Sequence, residues 1–187
     1  LVDSAGAAAV YWNRLYEPAA IARDTAIKRD LRARGIAAES FAAALLFEPW
    51  EIKNKQGLPF RVFTPFWKRL LDAGLPQAPD KHTDLRSRIF GPTTFKGIDQ
   101  CTLDSLKLLP TVRWDSGMHA AWRPTRAAAE ARLEEFVATE LHSYAQGRDL
   151  PASDQVSRLS PYLHFGQLGP REVVSACRRE RQAAAAF

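Results

Sequence analysis

Residues 7–40 read AAAVYWNRLYEPAAIARDTAIKRDLRARGIAAES, and this stretch decides the first part of the fold. The apolar run at residues 7–12 predicts a buried strand, and a helix is predicted over residues 19–34, which Gly35 ends. A strand, a loop and another apolar piece are predicted over residues 36–47. The apolar side of the helix is marked by Ile21, Ile27 and Leu31. A strand, a helix and a strand within about 40 residues are typical of half of a parallel α/β sheet.

The predicted sheet is incomplete. Two strands do not form a stable open sheet alone, so we expect partner strands before Leu1. The chain starts at Leu1 rather than at Met, and an alanine run at residues 183–186 stands just before its last residue, Phe187. Both ends are therefore expected to be cuts, and the sequence is expected to be an internal fragment of a longer protein.

Composition sets limits on the class of protein. The chain has 187 residues, which suits one domain or parts of two, and 46% hydrophobic residues, which excludes wholesale disorder. Cys101 and Cys177 match no metal or redox spacing, so a cytoplasmic protein without a disulfide framework is predicted. Uncharged stretches such as residues 4–13 fall far short of the roughly 18 apolar residues of a membrane span. The net charge of +5 permits an anionic partner without requiring one.

The middle of the chain is less regular. Residues 48–124 are rich in proline and aromatic residues and have few periodic stretches. One short helix is predicted, with Thr64 as its cap, Pro65 at its first position and Gly74 at its end. So long an irregular stretch favours a connector that crosses between two domains.

The second half of the chain is predicted to be helical. One long helix is expected over residues 124–147, a short helical piece over residues 160–165 and a last helix over residues 170–186. The long helix is indicated by apolar residues at steps of three and four, namely Ala129, Leu133, Phe136, Val137, Leu141 and Tyr144. The predicted fold class is therefore α/β followed by all-α.

The segment VSRLSP at residues 156–161 is a candidate anion site. Ser160 before Pro161 is a favourable helix cap, the hydroxyls of Ser157 and Ser160 are donors, and Arg158 adds charge. A phosphate or pyrophosphate would suit such a group. The alternative is that Ser160 only caps a helix, and the residues alone favour that alternative.

Other candidate residues also leave two interpretations open. Tyr144 can fill the core or lie over a planar ligand, and Arg148 can be a surface charge or a phosphate contact. Basic and aromatic residues alternate over residues 50–69, which suits nucleic acid or an amphipathic surface with buried rings. In all three cases the residues alone favour the structural interpretation. No catalytic set and no metal-ligand spacing is present among the four histidines, His82, His119, His142 and His164.

Several separated motifs resemble those of DNA photolyases of the cryptochrome/photolyase family, in the family's order. Near the start they are VYWNR at 10–14, YEP at 16–18 and RD at 23–24. The next group is FEPW at 47–50, GLPF at 57–60 and VFTPFW at 62–67. The last group is SRLSPYLHFG at 157–166 and GPR at 169–171.

The resemblance implies a fold and a reaction. Residues 1–50 would end a parallel, Rossmann-like α/β antenna domain, residues 51–120 would be the interdomain connector, and residues 121–187 would begin a helical FAD-binding domain. Such proteins bind FAD and often a second, light-harvesting chromophore, either a folate or a deazaflavin. Electron transfer from excited reduced flavin splits a pyrimidine dimer that has been flipped out of UV-damaged DNA.

The resemblance also assigns residue roles. Arg148 would contact DNA, and the expected FAD contacts are Tyr144, Val156, Ser157, Arg158, Leu159 and Ser160. The family usually has Thr in place of Val156, so a hydroxyl contact is lost there. The family's later helices and dimer-facing residues are absent, so we expect no catalytic residue in this chain and no activity from it alone. A monomer is expected.

The resemblance leaves three classes of function open. The leading hypothesis is a DNA repair enzyme, and the alternatives are a cryptochrome-type flavin photoreceptor without repair activity or a nonfunctional truncated remnant. The same flavin segment serves repair and signalling, so this segment does not separate the first two.

Overall fold

The structure is a computed structural model that describes residues 2–76 and 101–184. Its first part contains α1 (Val2–Ala5), β1 (Ala9–Asn13), α2 (Pro18–Ala33), β2 (Ala37–Phe41) and α3 (Phe63–Asp72). A 3₁₀ turn (Asp104–Leu106) and α4 (Ser116–Ala121) follow. The last part contains α5 (Arg126–Glu135), a π-helix (Phe136–Glu140), α6 (Tyr144–Gly147), α7 (Ser160–His164) and α8 (Pro170–Ala184).

The predicted strand, helix and strand are confirmed. β1 and β2 pair in parallel, with Ala9 opposite Ala37 and Asn13 opposite Phe41, and α2 makes the crossover between them. Gly35 ends the connection from α2 because it adopts a φ of 75°, in the left-handed region that favours glycine.

The described residues form two compact units. One contains residues 2–41 and 101–123, and the other contains residues 42–76 and 124–184. Within the second unit, the Arg171 side chain donates to the carbonyl of Leu46, and Arg178 donates to that of Leu75. These bonds attach the segment before residue 77 to α8. The predicted domain boundaries near residues 50 and 120 stay a prediction.

The helix α3 begins earlier than predicted. Val62 stands at the cap and Phe63 is the first helical residue, so Thr64 lies inside the first turn and caps nothing. Pro65 is tolerated there because the first N–H groups of a helix have no partner within the helix. Gly74, with a φ of 76°, ends the turn after α3 as predicted.

The predicted continuous helix over residues 124–147 is wrong. Thr125 caps α5 by accepting the N–H of Ala128, but the regular helix stops at Glu135 and a π-helix follows. Its i→i+5 pattern is seen where Leu141 N–H donates to Phe136 C=O at 2.9 Å. The Thr139 hydroxyl also bonds the carbonyl of Glu135, which favours such a local distortion.

The core of the second unit lies among the helices. Its buried apolar side chains include Ala129, Leu133, Phe136, Leu159, Tyr162 and Leu168. The first three belong to the predicted apolar stripe, so the placement of that stripe against the core is confirmed for α5 and the start of the π-helix. The predicted order, a parallel α/β part followed by a helical part, is confirmed as well.

No helix among the described residues is both long and apolar enough to span a membrane. Cys101 and Cys177 are both free thiols.

Candidate functional site

The loop before α7, residues 156–159, is held from behind by one arginine of α5. Arg132 donates to the carbonyl of Val156 at 2.8 Å and to the carbonyl of Ser157 at 3.0 Å. Two successive carbonyls therefore face the same guanidinium. Nothing in the sequence indicated this role, because a bond to a backbone carbonyl leaves no side-chain motif.

The bonds to Arg132 also orient the amide groups of this loop. In a trans peptide the C=O and the following N–H point in opposite directions, and no cis peptide bond occurs among residues 2–76 and 101–184. The N–H groups of Ser157 and Arg158 thus point away from Arg132, and neither has an acceptor among the described residues. Arg158 takes a φ of 51°, a left-handed conformation that few residues other than glycine adopt. Successive N–H groups in such a turn are suited to an anion.

The side chains of the loop differ in burial and in the contacts that they make. Leu159 is buried and its N–H lies 3.5 Å from the Ser157 hydroxyl, so Leu159 fixes the loop to the core. The Arg158 guanidinium pairs with Asp154 at 2.5 Å, which directs its charge toward that carboxylate. Val156 and Ser157 are half-buried.

The prediction that Ser160 caps α7 is wrong. Leu159 stands at the cap and makes no side-chain cap bond, while Ser160 is the first helical residue and is exposed. The helix has only five residues, so its dipole is small. Any anion at this loop would therefore be bound by the loop N–H groups and the serine hydroxyls rather than by the end of α7.

Tyr144 and Arg148 form a pair at α6. The Tyr144 ring is half-buried and packs edge-on against Phe136, with centroids 5.6 Å apart. The Arg148 guanidinium carbon also lies 5.6 Å from the Tyr144 ring centroid. Arg148 is exposed, and its nearest carboxylate is that of Asp149 at 3.4 Å. The ring thus contacts the buried Phe136 and also lies near an exposed cation.

A close approach links α6 to the loop. Gly147 is buried, and a Cβ atom placed on it would lie 1.8 Å from the Gln155 side-chain oxygen. Only glycine fits there, and the contact places the end of α6 beside the residue that precedes Val156. The structure therefore brings the segment with Tyr144 and Arg148 to the start of the Val156–Ser160 loop. The sequence identified Gly147 only as a helix stop.

The alternating basic and aromatic segment differs from its prediction. Its rings were expected to be buried, but Trp50, Phe63 and Trp67 are exposed. Phe63 and Trp67 stack on one side of α3, with centroids 6.1 Å apart and planes 13° apart. These residues lie one turn apart, so they share a helix face.

The comparison with known proteins agrees with the order of elements. A family model described as DNA photolyase matches residues 1–83. The chain is 37% identical, over 92% of its length, to a deoxyribodipyrimidine photo-lyase of Agrobacterium fabrum. It is 33% identical, over 95% of its length, to Cryptochrome-2 of Arabidopsis thaliana.

The structural comparison gives the same class. A crystal structure of a class III photolyase from Agrobacterium tumefaciens matches 94% of the chain with a TM-score of 0.80 and 36% identity. A Synechocystis cryptochrome matches 97% of the chain with a TM-score of 0.66, although at 21% identity it shows the fold alone. A parallel α/β part followed by a helical part is thus the arrangement that this chain shares with photolyases and cryptochromes. The chain belongs to the photolyase/cryptochrome family.

The chain is short beside these relatives. It spans 35% of the Agrobacterium fabrum photo-lyase, 29% of Cryptochrome-2 and 36% of the chain in the class III photolyase structure. The activities of these relatives therefore belong to proteins about three times as long.

Proposed function

We propose that this chain forms one wall of the flavin site in a light-driven DNA repair enzyme that splits UV-induced pyrimidine dimers. The observation that carries the proposal is the match to the Agrobacterium photo-lyase, which extends through the α/β part and the helical part alike. The arrangement of the Val156–Ser160 loop supports it. When bound and reduced, FAD would supply the light-excited electron for the repair reaction.

The residues of the loop suit the phosphates of FAD. The N–H groups of Ser157 and Arg158 are directed to one side, and the exposed Ser160 hydroxyl can add a donor. Val156 and Leu159 would contribute backbone contacts, because neither side chain carries a donor. Tyr144 would lie against the cofactor with its ring, which is held in place by the contact with Phe136.

Arg148 is proposed to contact DNA rather than flavin. Its guanidinium is more than half exposed, and the one ion pair that it makes with a described residue, Asp149, is long at 3.4 Å. Packing near the Tyr144 ring fixes its position without neutralising its charge. Such a group suits a DNA phosphate, which would orient the duplex without reading its sequence.

A second candidate function is a flavin photoreceptor without repair activity. Cryptochrome-2 and Cryptochrome-1 of Arabidopsis thaliana are 33% and 34% identical to this chain, only slightly below the Agrobacterium photo-lyase. UV-damaged DNA as the partner, a folate or deazaflavin as second chromophore, a monomeric state and a cytoplasmic location also stay predictions.

The test is light-dependent repair by the native gene product. The purified protein should show flavin absorbance near 450 nm, roughly where oxidised flavin absorbs. After reduction and illumination it should remove cyclobutane dimers from UV-irradiated DNA, with a dark sample as control. Flavin binding without light-dependent repair of cyclobutane dimers or (6-4) products would favour the photoreceptor, and absence of flavin would overturn both functions. The 187 residues alone should retain no flavin, because they provide only one wall of a cavity.

Substitutions in the native gene product distinguish the proposed flavin contact of Ser160 from the proposed DNA contact of Arg148. Ser160→Ala should weaken FAD binding about tenfold, the effect of one lost hydrogen bond, and should spare the DNA affinity of flavin-loaded protein. Arg148→Ala should keep its flavin, weaken DNA binding and reduce the salt slope by about one ion. Arg179→Ala, another exposed arginine, serves as the charge-matched control. Loss of flavin from Arg148→Ala with unchanged DNA binding would contradict its assignment.

A further inference from the structure

Arg132 makes more contacts than an ordinary surface arginine of a helix. Besides the carbonyls of Val156 and Ser157, its guanidinium bonds Glu135 at 2.9 Å and Glu140 at 2.8 Å. Its side chain is only 17% exposed. The two carbonyls, which lie 24 and 25 positions away in the chain, are thus joined to one helix by a single planar group.

The π-helix places Glu140 within reach of Arg132. In a regular α-helix, residues eight positions apart are rotated by about 80° from each other. A π-turn inserts one extra residue, so Glu140 takes the angular position that belongs to the seventh residue after Arg132. Residues seven apart share a helix face. The interruption between α5 and α6 therefore supplies the carboxylate that holds the guanidinium toward the loop.

The charges around Arg132 argue against a direct contact between its guanidinium and a phosphate. Two carboxylates, those of Glu135 and Glu140, surround one guanidinium, so the cluster is not positive. Burial alone would lower the pKa of Arg132, but its hydrogen bonds to these carboxylates outweigh burial and raise the pKa. Arg132 is therefore always charged and already paired. Two further donors are used on carbonyl oxygens, so four of its five N–H groups are occupied and it is not suited to bind a phosphate itself.

We propose that Arg132, held by Glu140, is a positioning residue for phosphate binding at the Val156–Ser160 loop. By drawing the carbonyls of Val156 and Ser157 to one side, it directs the next two N–H groups to the other side, where the flavin pyrophosphate would bind. This inference rests on the proposed function. It adds a residue that would touch neither flavin nor DNA and would still set how strongly the phosphates are held.

The guanidinium is needed for its shape. Its planar fork can donate to two carbonyls and a carboxylate at once, whereas the lysine ammonium is a single point of charge on a flexible stem. Arg132→Lys keeps the charge and loses the fork. Arg126→Lys is the matched control, because Arg126 is also an ion-paired residue of α5 and bonds Glu130, Glu172 and the carbonyl of Gln167, none of which belongs to the loop.

The experiment compares two flavins that differ in phosphate. FAD and riboflavin are titrated into flavin-stripped native gene product, and binding is followed by flavin fluorescence. We expect Arg132→Lys to weaken FAD binding about tenfold to a hundredfold, the effect of one or two lost charge-assisted bonds, and to change riboflavin binding less than about threefold. Glu140→Gln should show the same selectivity with a smaller loss. Arg126→Lys should leave the ratio of the two affinities unchanged.

The outcomes separate the two proposals. If the unmodified protein binds FAD no better than riboflavin, the proposed phosphate contact fails whatever Arg132 does. If it prefers FAD and Arg132→Lys keeps that preference, the role of Arg132 is refuted and the proposed function stands. An equal loss of both flavins in Arg132→Lys and in Arg126→Lys would indicate a structural role only and would also refute the inference. Melting temperatures of the flavin-free proteins, measured in parallel, show that each variant is folded.

Discussion

Different forces stabilise the strand pair and the helical part of this chain, each considered by itself. Around β1, α2 and β2, polar side chains form the ties, with Trp12 donating to Asp24 at 2.9 Å and Lys28 donating to Ser40 at 2.7 Å. Few side chains there are buried, and the rings of Tyr11 and Phe41 contact each other while remaining more than half exposed. The helical part instead buries large apolar side chains.

This difference shows which part has its own core. Burial of apolar surface is the main stabilising term in folding, while partly exposed hydrogen bonds add about 1 kcal/mol each. The helices over residues 126–184 enclose Phe136, Tyr162 and Leu168. They are therefore stabilised by apolar burial as well as by hydrogen bonds. The strand pair has mostly hydrogen bonds. Equivalent substitutions should therefore cost far more in the helical part.

The largest contrast is expected between two phenylalanines. Phe136→Ala removes a ring that is 4% exposed and should lower the free energy of unfolding by about 3–5 kcal/mol. Phe41→Ala removes a ring that is 51% exposed and should cost less than about 1 kcal/mol. Urea denaturation of the native gene product measures both values. Equal losses would show that the strand pair has a core of its own and would remove the contrast.

Two glycines should respond in opposite directions. Gly147→Ala places a Cβ against Gln155 and should destabilise the protein by about 1–3 kcal/mol. Gly117→Ala, within α4 and with open space around it, should stabilise by about 0.4–1 kcal/mol. Melting curves test both changes. Most of the Gly147→Ala loss should disappear when it is combined with Gln155→Gly, and failure of this rescue would mean that the close approach is not the cause.

The smallest contrast concerns two ion pairs. Arg126 and Glu172 join α5 to α8, and their double-mutant cycle should give a coupling of about 0.5–1 kcal/mol. Arg29 and Asp30 are adjacent and exposed on α2, and their coupling should be near zero. Alanine variants and chemical denaturation provide the cycle. A coupling for Arg29 and Asp30 as large as that for Arg126 and Glu172 would contradict the view that only the helical pair joins separate elements.

Local sequence signals predicted much of the fold. The apolar run before Asn13, the glycine after α2 and the Gly169–Pro170 pair each act within a few residues, so β1, α2 and the start of α8 could be located. The cap of α3 was misplaced by two residues because Thr64 is a common cap residue but Val62 occupies that position. Propensity ranks the candidates for a helix end without fixing the choice.

The site was less predictable, for a different reason. The sequence motif located the Val156–Ser160 loop, but Arg132 and the π-helix act through contacts between distant positions. A continuous apolar stripe predicted one helix over residues 124–147. The π-helix was not predicted, because an inserted π-turn shifts the spacing of the apolar residues by a single position. Gly147 was identified only as a stop, since its close neighbour Gln155 follows from packing and not from spacing.

The register of the two strands has a kinetic consequence. Ala9 lies opposite Ala37 and Asn13 lies opposite Phe41, so every pair joins residues 28 positions apart. Closing such a loop costs about 3 kcal/mol of chain entropy if the chain between is flexible. An already formed α2 shortens and stiffens that connection, and helices form faster than long-range strand pairs. During refolding, amide protons of α2 should therefore become protected from exchange before those of β2.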